Sequence, residues 1–233
     1  MGNIFNQIFY EPILKFLVFL YDNVPGHDLG VAIIIITLLV RVILFPLAAK
    51  SIKSQMKMAK HKGAIKEIQN KFKTKEEQSR ELMKFYKENK INPFSGCLPL
   101  IIQLPIIFAL YRALMGVLVA GSSISPMFLG IVNLSEKNVA LAVLAGISQF
   151  FASRLAAKRT VAMPQPGVSD KAAETQKKMT SQMTYFMPII TVVIGVGLPA
   201  GLTFYWTIST LLGLVQDYYL YKKYGYGKDQ KNN

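Results

Sequence analysis

Apolar residues in this chain come in long, nearly unbroken runs, not in the short amphipathic stretches of a water-facing fold. Five runs stand out, at 29–49, 98–120, 138–157, 181–198 and 200–220, the last two separated only by the Leu198-Pro199-Ala200-Gly201 turn. A helix of about 20 residues rises ~30 Å, the thickness of a bilayer's hydrocarbon core, so each run is read as a membrane span. Residues 3–23 differ. Asn3, Gln7, Glu11, Lys15 and Asp22 fall on one narrow helical face, and the rest is mostly Ile, Leu, Phe and Val. That pattern predicts an amphipathic helix lying on the outer membrane surface, kinked near Pro12. It has no basic start and no small-residue cleavage site, unlike a signal peptide.

Between the first two runs, residues 50–92 read as a helical hairpin. Ile65, Ile68 and Phe72 recur at helical spacing on one arm, and Leu82, Phe85 and Tyr86 on the other. Thr74 to Glu77 is a capping-box pattern that starts the second arm, and Asn92-Pro93 ends it. Met56, Met58 and Met83 are either adaptable contacts for apolar partners or fillers of the hairpin seam. Residues 158–180 read as a loop, with MPQPGVSD at 163–170 its flexible centre.

Charge orients these elements. Lys and Arg number thirteen in 50–93, six in 154–178 and four after Tyr221, which is 23 of the 27 in the chain. Segments 1–28 and 121–137 hold only Lys15 and Lys137. The positive-inside rule therefore makes the hairpin, the 158–180 loop and the 221–233 tail cytoplasmic, with the N-terminus outside and the C-terminus inside. The net charge of +14 follows from this bias, so specific nucleic-acid binding is not expected. At 52% hydrophobic residues and a mean hydropathy of +0.31, the chain reads as an all-α polytopic membrane protein. No Walker loop, dinucleotide turn, HExxH or CxxC is present, and the single Cys97 rules out an internal disulfide framework. No apolar run contains a histidine to activate a serine, which disfavours an intramembrane serine protease. No enzymatic activity, metal or cofactor is expected.

One residue breaks the first run. Arg41 is the only charge between Leu29 and Ala49, in LLVRVILFPLAAK. A guanidinium at such depth costs roughly 2.5–17 kcal/mol unless it finds water or a partner. Lys50 lies nine residues on, ~13 Å of helix, too far for the side chain to recover the whole distance. Arg112 lies at similar depth from the opposite side, so depth alone does not rank the two. Polar and small residues stripe the other spans. Ala142, Ala145, Gly146, Gln149, Ala152, Ser153 and Ala156 share a face, as do Thr184, Thr191 and Gly195. Thr203, Trp206, Thr207, Thr210 and Asp217 cluster on the fifth span, and Thr37 sits one turn before Arg41. Each small or hydroxyl residue alone is explained by close helix packing. Together with Arg41 and Gln149 they suggest a hydrated cavity.

The stretches LLVRVILFPLAAK, NPFSGCLPLIIQLPIIFALYRAL (92–114) and AGLTFYWTISTLLGLVQDYYL (200–220) resemble the YidC/Oxa family of membrane-protein insertases, over nearly the whole chain and in the same order of parts. The resemblance implies five transmembrane helices around a hydrophilic groove that opens to cytoplasm and lipid and is closed outside. It implies a bacterial plasma-membrane protein that receives nascent membrane proteins, releases them to the lipid bilayer, helps them fold and cooperates with the Sec translocon. The family's functional arginine matches Arg41, and its polar and aromatic groove positions match Gln149 and Trp206. Thr37, Thr203, Thr207 and Thr210 complete the expected substrate-binding set. Arg112 matches no functional position. No large extracytoplasmic domain and no lipoprotein-type signal are expected, and ribosome docking through the short tail is expected to be weak. A small-anion transporter using Arg41 as ligand is the alternative; short outer connections and the absence of an internal repeat disfavour it.

Overall fold

The computed structural model describes residues 2–72, 74–92, 95, 98–118, 123–159 and 170–224. The chain is mainly helical: α1 (Gly2–Phe5), a π-helical turn (Asn6–Tyr10), α2 (Glu11–Asn23), α3 (Leu29–Lys60), α4 (Lys62–Lys71), α5 (Lys75–Glu88), α6 (Leu98–Val117), α7 (Val139–Arg159), α8 (Asp170–Gly197) and α9 (Ala200–Tyr224). Among the described residues, α3 and the stretch Val139–Ala157 are long and apolar enough to cross a membrane; Ile101–Val117 and Thr184–Gly197 are shorter apolar helices.

The helices divide into two compact units. The first comprises Met1–Phe45, Leu100–Phe150 and Met187–Gly213. Leu29, Ala32, Ile33 and Ile36 of α3, Leu110, Ala113, Leu114 and Val117 of α6, and Ala200, Leu202, Phe204 and Tyr205 of α9 form its core with Leu17 and Tyr21 of α2. The three-to-four spacing puts each set on one helical face. The opposite faces are equally apolar: Leu38, Val42 and Ile43 of α3 are exposed. In water that surface would be costly, whereas in lipid it is the expected exterior. In the N-terminal segment the irregularity lies just before Pro12. The Glu11 N–H donates to the carbonyl of Asn6, a π-type bond. Proline has no N–H to continue the ladder.

A small β-hairpin departs from the all-α expectation. β1 (Met127–Phe128) pairs antiparallel with β2 (Val132–Asn133). The chain leaving β2 satisfies two orphan donors at the start of α9: Gly201 N–H donates to Leu134 O and Ala200 N–H to Glu136 O, both at 2.7 Å. Gly30 of α3 has no Cβ because Phe128 occupies the place where one would stand.

The second unit comprises Pro46–Pro99, Phe151–Phe186 and Leu214–Asn233. Its hairpin core is Met58, Ile65, Leu82, Tyr86 and Ile91, backed by Ile68 and Phe85. The Thr74 side chain accepts from the Glu77 N–H at 3.3 Å, capping α5. The Gln78 amide donates to the carbonyls of Gln69 and Phe72 and so ties the turn between α4 and α5. Burial pushes the Tyr86 phenol above its ordinary pKa, keeping it neutral. Met56 and Met58 are buried as filler; Met83 is exposed. A second cluster sets Ile52 and Met56 against Leu220.

Two boundaries differ from the sequence reading. Helix α3 continues past Ala49 to Lys60, because nothing in AKSIKSQMKMAK breaks a helix. The presumed loop 158–180 is helical at both ends, through Arg159 in α7 and from Asp170 in α8, where Lys171, Ala172, Ala173 and Glu174 favour helix. Residues 163–169 of its flexible centre lie outside the described residues.

Candidate functional site

Helix α3 carries Arg41 half-buried into the first unit. Its Nη2 donates to the Ser209 carbonyl at 2.6 Å and to the Ser209 hydroxyl at 3.1 Å. These residues are 168 apart in the chain, so the seat is purely tertiary. One helical turn beyond Ser209, Gly213 makes room for it. A Cβ there would stand 2.7 Å from Nη2, 2.9 Å from Nη1 and 3.0 Å from Cζ of Arg41. The guanidinium therefore lies directly on the backbone of α9, and only glycine permits that approach.

Arg41 faces a cavity of about 430 Å³. Gln103, Ile107, Phe108 and Tyr111 line it from α6; Leu202, Tyr205, Trp206, Ser209 and Thr210 line it from α9, with Leu198 beside them. The spacing on both helices is helical, so each contributes one face. Gln103 donates to the Tyr205 hydroxyl at 3.1 Å. Tyr205 in turn lies within hydrogen-bonding reach of Ser209, which links the amide, phenol and hydroxyl to the guanidinium. Among the described residues, the lining holds one cation and no carboxylate. Such a site favours an anionic or strongly polar guest, while Ile107, Phe108, Leu198 and Leu202 offer apolar contact.

Three of the residues singled out from sequence, Arg41, Trp206 and Thr210, line this cavity. Thr37 lines a separate void of about 10 Å³ with Ile36, Val40 and Tyr205, and its hydroxyl donates to the Ile33 carbonyl at 2.6 Å. Thr203 donates to the Gly195 carbonyl at 3.2 Å, fastening α9 to α8, and Thr207 donates to the Thr203 carbonyl at 2.8 Å. Both are buried. Gln149 is half-buried on α7 and is not among the residues lining the cavity. The small-residue stripe of α7 serves packing. A Cβ at Gly146 would stand 2.3 Å from Val192 Cγ2 and 3.2 Å from the Pro188 carbonyl, and Ala142 sits against Gly195.

Sequence reasoning missed Gln103, Tyr205, Ser209 and Gly213. Gln103 carried a signal, as an amide inside an otherwise apolar run; Ser209 and Gly213 carried one only in their four-residue spacing. The structure also separates the two deep arginines. Arg112 donates to Asn6 Oδ1 at 2.7 Å, and its guanidinium carbon lies 4.5 Å from the centre of the Tyr10 ring. It is exposed and holds the N-terminal segment, and it is not among the residues lining the cavity.

The chain is built mainly of apolar helices, as a membrane protein is, with an arginine seated beside a cavity of mixed polar and apolar lining. Residues 19–228 match the family described as 60Kd inner membrane protein. The chain is 34% identical over 218 residues to a membrane protein insertase YidC of Fusobacterium nucleatum, covering 92% of this chain and 97% of the relative. It is 35% identical over 213 residues to a membrane protein insertase YidC of Wigglesworthia glossinidia brevipalpis, covering 91% of this chain but 36% of that protein. A crystal structure described as an active YidC insertase with its first transmembrane domain resolved is similar at a TM-score of 0.61 and 29% identity, over 92% of this chain and 46% of that one. The chain thus spans a third to a half of the longer relatives and nearly all of the shorter one. It belongs to the 60Kd inner membrane protein family, the YidC/Oxa insertases.

Proposed function

We propose that this protein inserts nascent membrane proteins into the lipid bilayer and assists their folding, using the Arg41 cavity as a polar foothold. The observation that carries this reading is the seat of Arg41: a guanidinium held on the α9 backbone, facing an acid-free cavity with mixed polar and apolar walls. Five spans, formed by α3, α6, α7, α8 and α9, enclose a groove open to cytoplasm and lipid and closed outside. The N-terminus is outside and the C-terminus in the cytoplasm of a bacterium whose plasma membrane holds the protein. The basic bias of 50–93, 154–178 and the tail supports that orientation.

An acidic outer tail of the incoming protein enters the cavity and pairs with Arg41. Pairing offsets part of the cost of taking both charges out of bulk water. Trp206, Thr210 and Gln103 give the tail's polar groups further partners, and Gln149 extends the polar path along α7. Thr37, Thr203 and Thr207 keep the helices around Arg41 in register. The apolar segment then leaves into lipid, and that transfer drives the reaction without nucleotide hydrolysis. An outside-positive potential draws each acidic charge across with ~2.3 kcal/mol per 100 mV. The Sec translocon is the expected partner for larger substrates, and the ribosome contributes weakly through the tail.

The test is insertion into proteoliposomes of two single-span substrates that differ only in an acidic or a neutral outer tail. Arg41→Lys should retain much of the activity, since it keeps the charge. Arg41→Ala and Arg41→Glu should lose insertion of the acidic-tailed substrate and affect the neutral one less. Full insertion of the acidic-tailed substrate by Arg41→Ala would remove the electrostatic foothold.

A further inference from the structure

The β1–β2 hairpin ends in an apolar tip that the insertion mechanism does not use. Ile131 is 81% exposed and Leu129 63% exposed, and Ile131 is the most exposed large hydrophobic side chain among the described residues. The tip is held at a defined level. The Leu129 N–H donates to the Asp28 carboxylate, one residue before the first apolar run. Its neighbour Phe128 packs on the Phe204 ring, with centroids 4.7 Å apart, and fills the space over Gly30. Phe128 thus lies beside the outermost turn of α3 and the second turn of α9, below the helix ends and not above them. Leu129 and Ile131 follow within three residues, at most ~10 Å of chain.

The turn is also strained in favour of these side chains. Leu129 has φ +50° and Gly130 φ +68°, with Ile131 N–H donating to Phe128 O at 2.9 Å. Asn, Asp or Gly would occupy the first of these positions with less strain. From Pro126 to Ser135 the chain carries no charge, and Glu136 and Lys137 follow at its end. Exposure of this degree recurs on Ile43 and Val193, which point outward from apolar helices.

We propose that the hairpin tip is a lipid anchor: Leu129 and Ile131 are immersed in the outer leaflet, just inside the headgroups. Lipid is the occupant that fits an uncharged apolar tip at the level where an apolar run begins. The anchor fixes the outer ends of α3 and α9, and with them the depth of Arg41. This inference rests on the reading of α3 as a membrane span.

Spin labels placed singly at Ile131→Cys, Leu129→Cys, Val42→Cys and Lys137→Cys in a Cys97→Ser background test it. The full-length chain is reconstituted in phosphatidylethanolamine–phosphatidylglycerol vesicles, and collision with oxygen is compared with collision with a water-soluble nickel chelate. Val42 marks the span and Lys137 the water. Labels at Ile131 and Leu129 should be several-fold more accessible to oxygen than to nickel, between the two markers. Nickel access equal to that of Lys137 at both tip positions, with Val42 in lipid, overturns the anchor alone. Low access to both reagents means a protein contact covers the tip and also overturns it. Nickel access at Val42 as well overturns the spanning reading and the anchor together.

Discussion

Gly213→Ala is the smallest change that reaches the seat of Arg41 without altering Arg41. The new Cβ would stand 2.7 Å from Nη2, whereas ordinary van der Waals contact begins at 3.4 Å, so the guanidinium must retreat by about 0.7 Å. The arginine tip is flexible and will move before the backbone does. Its 2.6 Å bond to the Ser209 carbonyl then stretches to the limit of hydrogen bonding, and its 3.1 Å contact with the hydroxyl is lost. A charge-assisted hydrogen bond is worth ~1.5–3 kcal/mol. Alanine in a helix returns ~1 kcal/mol relative to glycine, so the fold should lose only a little stability. Positioning of the charge bears the larger effect. A loss of ~1.4 kcal/mol in that term corresponds to a roughly tenfold fall in insertion of an acidic-tailed substrate. The neutral-tailed substrate should change little. Thermal unfolding in detergent, run on the same preparations, separates positioning from misfolding. Ser209→Ala removes only the hydroxyl and should cost ~1 kcal/mol or less, a milder defect of at most about fivefold. If Gly213→Ala inserts the acidic-tailed substrate as well as the parent at equal protein levels, the position of the guanidinium on α9 does not matter and the reasoning fails.

Three further outcomes are expected. Single cysteines at 55–90 should be shielded from an impermeant thiol reagent applied outside intact cells while one at Ser123 reacts, and labelling of the hairpin from outside would reverse the orientation. Arg112→Ala removes the bond to Asn6 and the stack on Tyr10, together worth ~1–3 kcal/mol, so hydrogen exchange in residues 4–20 should accelerate with little change in insertion. Gly146→Val forces side-chain atoms into Val192 and the Pro188 carbonyl, and should lower thermal stability by ~1–3 kcal/mol; an unchanged melting curve would mean that α7 and α8 are not closely packed there.

Much of the architecture was legible in the chain because it depends on properties summed over a segment. Twenty apolar residues favour helix in lipid whatever surrounds them, and need no tertiary partner to do so. The hairpin arms were readable for a similar reason, since the Thr74 cap and the spacing of Leu82, Phe85 and Tyr86 are local. Arg41 was conspicuous because a charge in an apolar run is costly before any fold is known. What sequence left open was the rotation of each apolar helix about its axis. A helix that is apolar all round has no internal signal for which face turns inward, and that choice is made by steric fit between helices. Hence the tertiary structure alone brought Ser209, Gly213 and Tyr205 to Arg41, turned Thr203 and Thr207 to backbone carbonyls, and gave Arg112 to the N-terminal segment. Gly213 shows the limit most clearly: as a letter in a helical run it looks unfavourable, and only the guanidinium lying against it explains the missing Cβ.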